Sequence, residues 1–336
     1  MQRYGWDDIE AAIRQDDTDK RDLTLRTHEM HYADGMLVLP RRLRDEVGAR
    51  YLPMTDTARG QLLQRIQVPA DYEAQVREQG EVALANRMVN HGMSQLSVRA
   101  AEKKGQSDSW RLRLRGSTVR AALSEEFSVV DNHDLVDAMY GILVKNVPHQ
   151  IRSFHMDDTS LWLKFTLDDE YHDPSGSFLK VGGILGNSEV GKRQVEFRPF
   201  LYRASCTNDA VYPVAGIRHK HRHIDMSRVQ YSLTQSLATT LREGQGMINR
   251  ALKLLGVKVA EPKEVIAALS KKQGLSKART LAVVEAFKRE PMQTRWGVFN
   301  AFTRSAQTLV GDERVSQEEF AGTLINLQRW PAALAA

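Results

Sequence analysis

Trp110, Leu112 and Leu114 alternate with Arg111, Arg113 and Arg115, a two-residue period that predicts a strand with one apolar and one basic face. SLWLKFTL (160–167) alternates in the same way, and VRAAL after Gly116-Ser117 reads as a second strand beside the first. GMLVLP (35–40) is a short strand. FLKVGGILGNSEVG and KRQVEFRPFLYRASCTN are rich in β-formers and interrupted by Gly and Asn turns. Elsewhere the period is helical. TDTARGQLLQRI and VPADYEAQV predict two short helices, the second opening near Pro69, and VALANRMVNHGM continues helical. Asp131 or Asn132 caps a helix through Leu135, Met139 and Leu143. A long helix starts near Asp225 or Ser227 and ends at Gly256, with Val229, Leu233, Leu237, Leu241, Ile248, Leu252 and Leu255 as its apolar stripe. The tail from Pro262 is helical, with Ser276 capping KARTLAVVEAFKRE.

The predicted class is therefore α+β: an antiparallel β-sheet followed by a long helix, in β-β-β-α order, with helical N-terminal and C-terminal parts. The expected divisions are a polar N-terminal segment (1–54), an α+β core (55–260) and a helical C-terminal region (261–336). No internal repeat and no low-complexity tract interrupts them.

Composition narrows the class of partner. The 336 residues carry a net charge of +5, unevenly spread. Residues 1–100 hold 14 Lys and Arg against 16 Asp and Glu, whereas 241–295 hold 12 against 5. An acidic front, including Asp16, Asp17 and Asp19, and a basic rear point to a polyanionic partner. The acidic front can also pair with the chain's own basic groove. A single cysteine, Cys206, excludes an internal disulfide and a Cys-based zinc motif, which fits a reducing, cytoplasmic setting. The opening residues contain no apolar segment of the signal-peptide kind, and no apolar run reaches the roughly 18 residues of a membrane span.

IRHKHRHIDM (217–226) is the densest candidate site. As a strand it places His219, His221 and His223 on one side and Arg218, Lys220 and Arg222 on the other. Three histidines on one straight strand rarely converge on zinc without a bend, and no H-E-x-x-H pattern accompanies them. No metal and no cofactor is assigned. The basic side suits a row of phosphates, and Arg111, Arg113, Arg115 and the neighbouring Arg120 repeat the device. Two basic strands lining one groove is the expectation; pairing with acids such as Glu125 and Glu126 is the structural alternative. Lys271, Lys272 and Lys277, with Arg279, form a third basic cluster around the Ser276 cap. GGILGNSEVGK fails the phosphate-loop pattern because Arg193 follows Lys192, so it reads as a β-turn. Asp157, Asp158, Asp168, Asp169 and Glu170 flank a strand where turns ordinarily place acids, and Cys206 reads as a small thiol with no organised base. Trp296, Phe299 and Phe302 fit one helix face, as core or subunit interface.

Several stretches together, namely GQLLQRIQVPADY, LRLRGSTVRAALSEEFSVVDNHDLV, YRASCTND, RHKHRH and TRWGVFNAFT, resemble the phage/plasmid-like family called "domain of unknown function 932" over about residues 55–310. The most specific pieces are VRAALSEEF, the Cys206-x-Asn208 pair and WGVFNA. That resemblance implies mobile-element biology without an assigned activity. The order of strands and long helix more distantly resembles single-strand annealing proteins of the Red-beta type, which implies rings or filaments carrying single-stranded DNA without nucleotide hydrolysis.

The expected function is thus a non-enzymatic, homo-oligomeric protein that binds single-stranded DNA and anneals strands or assists recombination. The competing readings are a metal-dependent enzyme using the three histidines or Asp157 and Asp158, and a factor that binds an acidic protein to counter host defence.

Overall fold

Helix α1 (Trp6–Asp17) begins a computed structural model that describes residues 5–102, 107–172, 178–203, 208–211, 216–326 and 330. The chain continues with β1 (Lys20–Arg26), β2 (His31–Ala33), β3 (Met36–Val38), α2 (Arg41–Val47), β4 (Tyr51–Pro53), α3 (Asp56–Ile66), α4 (Ala70–Glu78), α5 (Val82–Glu102), β5 (Ser109–Arg115) and β6 (Thr118–Ser124). Thr55 caps α3 by accepting from the Ala58 N–H at 3.2 Å, and Pro69, which needs no N–H bond, stands at the N-cap of α4.

The alternation along β5 is realised. Trp110, Leu112 and Leu114 are buried with Leu23 and Leu25 of β1 and Leu62 and Leu63 of α3. Strand β1 pairs antiparallel with β5, Leu23 opposite Leu112 and Asp22 opposite Arg113. Strand β1 lies at the edge of the β1-β5-β6 sheet, and β4 belongs to a second small sheet, β2-β3-β4.

The middle of the chain runs α6 (Asn132–Asn146), β7 (His149–Met156), β8 (Leu161–Leu167), β9 (Tyr171–His172), β10 (Phe178–Asn187), β11 (Val195–Arg203), β12 (Asn208–Val211), β13 (Ile217–His219) and α7 (Met226–Leu252). The large sheet has the order β12-β11-β10-β8-β7, with β13 added to β11 and β9 to β10, every pairing antiparallel. One face buries Leu161, Leu163, Phe165, Leu185 and Phe197 against α1, α6 and the first half of α7. Asp225 caps α7, its Oδ1 accepting from the Arg228 N–H at 2.8 Å. The buried stripe of α7 runs Val229, Leu233, Leu237, Thr240, Gly244, Met247, Ile248 and Ala251. Leu241, expected in that stripe, is exposed: 3.6 residues per turn carries the seam to Thr240.

Helices α8 (Pro262–Gln273), α9 (Lys277–Arg289), α10 (Arg295–Ala306) and α11 (Gly311–Thr323) complete the molecule. With the second half of α7 they enclose a large apolar cluster containing Trp296, Phe299 and Phe302. Helix α11 lies over the opposite face of the large sheet, where Val315 meets Trp162 and Ile184. Among the described residues, no helix is long and apolar enough to cross a membrane.

Candidate nucleic-acid interface

The polar face of β5 meets carboxylates of the same chain. The Arg113 guanidinium donates to Asp22 Oδ1 at 3.0 Å, Asp131 Oδ1 at 2.5 Å and the Glu189 carbonyl at 3.0 Å. Arg115 pairs with Asp16 and, at 3.2 Å, with Asp158; Arg111 lies 3.8 Å from Asp22. Arg120 on β6 donates to Glu189 Oε2 at 3.0 Å. Arg113 and Arg120 are buried, so neither meets solvent. The acidic front supplies Asp16 and Asp22, and β1 brings them into register because Lys20 stands opposite Arg115. Glu125 and Glu126 are not the partners of this strand.

Glu189 is the hub. Its carboxylate accepts from Lys20 Nζ at 2.9 Å, Arg120 at 3.0 Å and the Asn132 N–H at 2.9 Å. Burial alone pushes a carboxyl pKa up, but Lys20, the Asn132 N–H and Arg120 outweigh it and hold Glu189 down at about 2. Lys20 is raised above its ordinary value: burial lowers it, and Glu189, Asp16 and Asp17 more than compensate. Among the described residues, Asp16, Asp17 and Glu189 form the one triad whose ligand atoms approach closely enough to hold a metal ion. The Lys20 ammonium bonds all three, so a cation of the chain's own already neutralises that cluster.

The 217–226 stretch is arranged differently. Strand β13 pairs Arg218 with Glu196 on β11, and the chain then turns back on residues 126–128: Phe127 bridges Arg222, and the Ser128 N–H donates to the His221 carbonyl at 3.0 Å. His221 points inward. Its ring stacks on Phe127 with centroids 4.7 Å apart, and its Nδ1 lies 3.1 Å from the Ser128 carbonyl. Burial depresses its pKa, with Arg113 adding to the effect and the Ser128 contact opposing it, so the ring is neutral near pH 7. With His221 as the anchor, Arg218, Lys220, Arg222, His223 and Arg228 are all exposed. Arg218 lies 3.4 Å from Glu196 and Arg222 2.5 Å from Glu126, both with more than half of the side chain in solvent. The exposed Arg222–Glu126 pair contributes only about 0–1 kcal/mol, while Arg218 reaches a buried Glu196 that Arg193 and Arg198 also flank.

The three histidines do not converge. His221 is committed to Ser128, His223 sits exposed at φ 53, and the ligand-like triad among the described residues excludes all three. Asp157 is consumed by a turn, its Oδ1 accepting the Thr159 and Ser160 N–H groups at 2.8 and 2.9 Å. Asp157 and Asp158 precede β8 and Asp168 and Asp169 follow it, roughly 20 Å apart at 3.3 Å per residue, so they form no common site. GGILG lies within β10, with Gly191 at φ 73 in the turn that follows. Lys271 and Lys272 close α8 and Lys277 opens α9; all three are exposed, and Ser276 caps α9 through the Arg279 N–H at 3.3 Å. Lys271 and Lys272 are ordinary helix-end lysines favoured at a C-terminus by the helix dipole, whereas Lys277 stands in the first turn of α9, where the dipole does not favour a cation. WGVFNA is structural: Asn300 Oδ1 accepts from Trp296 Nε1 at 2.9 Å and from Arg203 at 3.2 Å, and Arg203 also donates to Glu290 at 2.6 Å. Cys206 lies outside the described residues.

Three residues that matter here escaped sequence reading. Glu189, Lys164 and Arg198 each stand in an otherwise apolar or β-rich run, and all are buried. For Lys164 and Arg198 the available signal was a charge between two apolar residues inside a strand; Glu189, in the turn after β10 beside Asn187 and Ser188, carried no such signal. Comparison with protein-family models, with curated proteins and with solved structures finds no match for this chain.

Proposed function

We propose that the protein binds single-stranded nucleic acid through the β13–α7 junction and acts as a non-enzymatic strand-annealing or recombination factor of a phage or mobile element. The observation that carries this reading is the exposed run Arg218, Lys220, Arg222, His223 and Arg228, held outward by the buried His221. A phosphate displacing Glu126 from Arg222 exchanges one weak solvated pair for another and releases counterions, so binding there costs little. Arg111, Arg113, Arg115 and Arg120 drop out of the contact set because their charge is met within the chain. Lys271, Lys272 and Lys277 remain as a secondary, exposed basic patch.

One feature supports the annealing form of the proposal. An antiparallel sheet precedes a 27-residue helix in this α+β chain, an arrangement compatible with an annealing protein. The test is a gel shift comparing single- and double-stranded oligonucleotides, with the mass of the assembly measured alongside. Preferential retardation of single strands by a multimer is expected. No shift at low salt, or stoichiometric metal with activity lost on chelation, overturns the proposal.

A further inference from the structure

The two faces of the large sheet are built on opposite principles. The helical-layer face is apolar. The other face can be read from the register as rungs across the strands. One rung is His155, Trp162, Gly186, Glu196 and Arg218; the next is Ser153, Lys164, Ile184 and Arg198; a third holds Thr166, Gly182 and Phe200. The glycines let aromatic rings approach the backbone. A Cβ on Gly186 would fall 2.3 Å from the Trp162 ring, and one on Gly182 would fall 2.6 Å from the Phe200 ring. Cations and aromatics therefore interleave on this face, with Glu196 as the carboxylate held between Arg193, Arg198 and Arg218.

Helix α11 covers this face with acids. Asp312 accepts from Trp162 Nε1 at 2.9 Å and Arg193 Nε at 2.6 Å, Glu318 meets Lys164 at 2.5 Å, and Glu319 meets Arg198 at 2.5 Å. Against the sheet its apolar contact is Val315 on Trp162 and Ile184, while its other side is anchored to the C-terminal core through Ala321, Phe320 on Phe302, and Gln317, which donates to the Phe302 carbonyl at 3.3 Å. Buried ion pairs about break even against apolar packing of the same volume, so charge on this face is not explained by stability. Beside α11 a cleft of about 310 Å³ stays open between the helix and β7–β8. Its charged lining is Arg152, Lys164 and Arg314 with His155; Glu318 pairs with Lys164 at 2.5 Å and with Arg314 at 2.8 Å, and Asp157 lies 3.2 Å from His155, so Arg152 is the lining cation on which the cleft's accessible charge rests. Arg152 meets no carboxylate among the described residues; its guanidinium lies 3.9 Å over the Tyr202 ring and donates to Gln150.

We propose that this face is a second single-strand nucleic-acid track, covered in the present state by α11, whose Asp312, Glu318 and Glu319 occupy positions that phosphates take when a strand binds. It deepens the preceding proposal and rests on it, because the first rung ends on Arg218, within the exposed basic run. A strand held at Arg218 and Lys220 passes directly toward Arg198 and the open cleft. Trp162, Phe200 and Tyr202 are buried in this state, with Arg193 over the Trp162 ring and Arg152 over the Tyr202 ring; bases displacing those guanidinium groups would stack on the same rings, which favours nucleic acid over an acidic peptide.

The test uses the full chain and a labelled thirty-residue oligothymidylate. Asp312→Asn with Glu319→Gln removes two covering charges whose side chains are 45% and 35% exposed, while Glu318, 1% exposed, stays to hold Lys164. Binding should tighten roughly tenfold, and the log–log salt slope should steepen by about 1.4, two phosphates at 0.7 each. Arg152→Ala orphans no carboxylate, so it should leave the melting temperature in place and weaken binding at least about threefold, in the wild type as in the double variant. If the wild type binds the oligonucleotide and neither change alters affinity or slope, the covered track is wrong and the β13–α7 proposal stands. If only the double variant binds, the track is right and the exposed run is not the main contact. If neither binds, both proposals fall. Equal affinity for polyglutamate overturns nucleic acid as the occupant.

Discussion

Two short stretches carry nearly the same sequence pattern and end in opposite states. Arg111, Arg113 and Arg115 alternate on β5, and Arg218, Lys220 and Arg222 alternate from β13 into the loop before α7. The first set faces Asp16, Asp22, Asp131 and Asp158; the second faces water, with one exposed pair to Glu126 and one contact to the buried Glu196 at its edge. Spacing fixes which side of a strand a charge lies on. Whether that charge is available depends on carboxylates brought in from distant parts of the chain.

The comparison breaks most visibly in stability. Arg113→Ala leaves Asp22, Asp131 and the Glu189 carbonyl without their buried donor and should cost about 3–5 kcal/mol in urea unfolding, whereas Arg222→Ala should cost under about 1 kcal/mol. Equal costs would erase the distinction.

Acid titration gives the next effect. Glu189 is held at about 2 against an ordinary 4.5, so its ionised form is favoured by folding. That contribution, on the order of 3 kcal/mol, is fully present above about pH 4.5 and is lost as pH falls toward 2. Glu189→Gln should be less stable at pH 7 and flatter across that window; an unchanged acid profile would remove Glu189 as the hub.

His221→Phe should have the smallest effect. It keeps the stack on Phe127 and loses the contact with Ser128, costing about 1 kcal/mol at pH 7. Because the folded pKa of His221 is depressed, the wild type should lose stability as pH drops below about 6.5, the unfolded value, and this variant should lose less. Identical pH dependence between 7 and 5 would contradict a buried neutral imidazole.

Much of the architecture was legible in the chain. Alternation at 110–115 and 160–167, the Asp225 and Ser276 caps and the long apolar stripe of α7 are local patterns, and local geometry enforces them. The exposure of Lys220 and Arg222 comes from a turn after β13 ends at His219, which also leaves His223 exposed, and strand alternation alone did not foretell it. What was not legible is long-range. Asp22 meets Arg113 across 91 residues and Glu189 meets Lys20 across 169, pairings that only the antiparallel register of β1 and the closure of the large sheet create. The charged underside of the sheet was missed because Lys164 and Arg198 look like stray cations in apolar strands until α11 is placed over them.

Salt titration of single-stranded oligonucleotide binding tests the central claim most directly. Replacing Arg218, Lys220 and Arg222 together by Ala should reduce the magnitude of the log–log slope by about 2, three phosphates at 0.7 each, while Arg111→Ala leaves the slope unchanged. A slope indifferent to the triple change, or equally sensitive to Arg111, would contradict the division between neutralised and available cations.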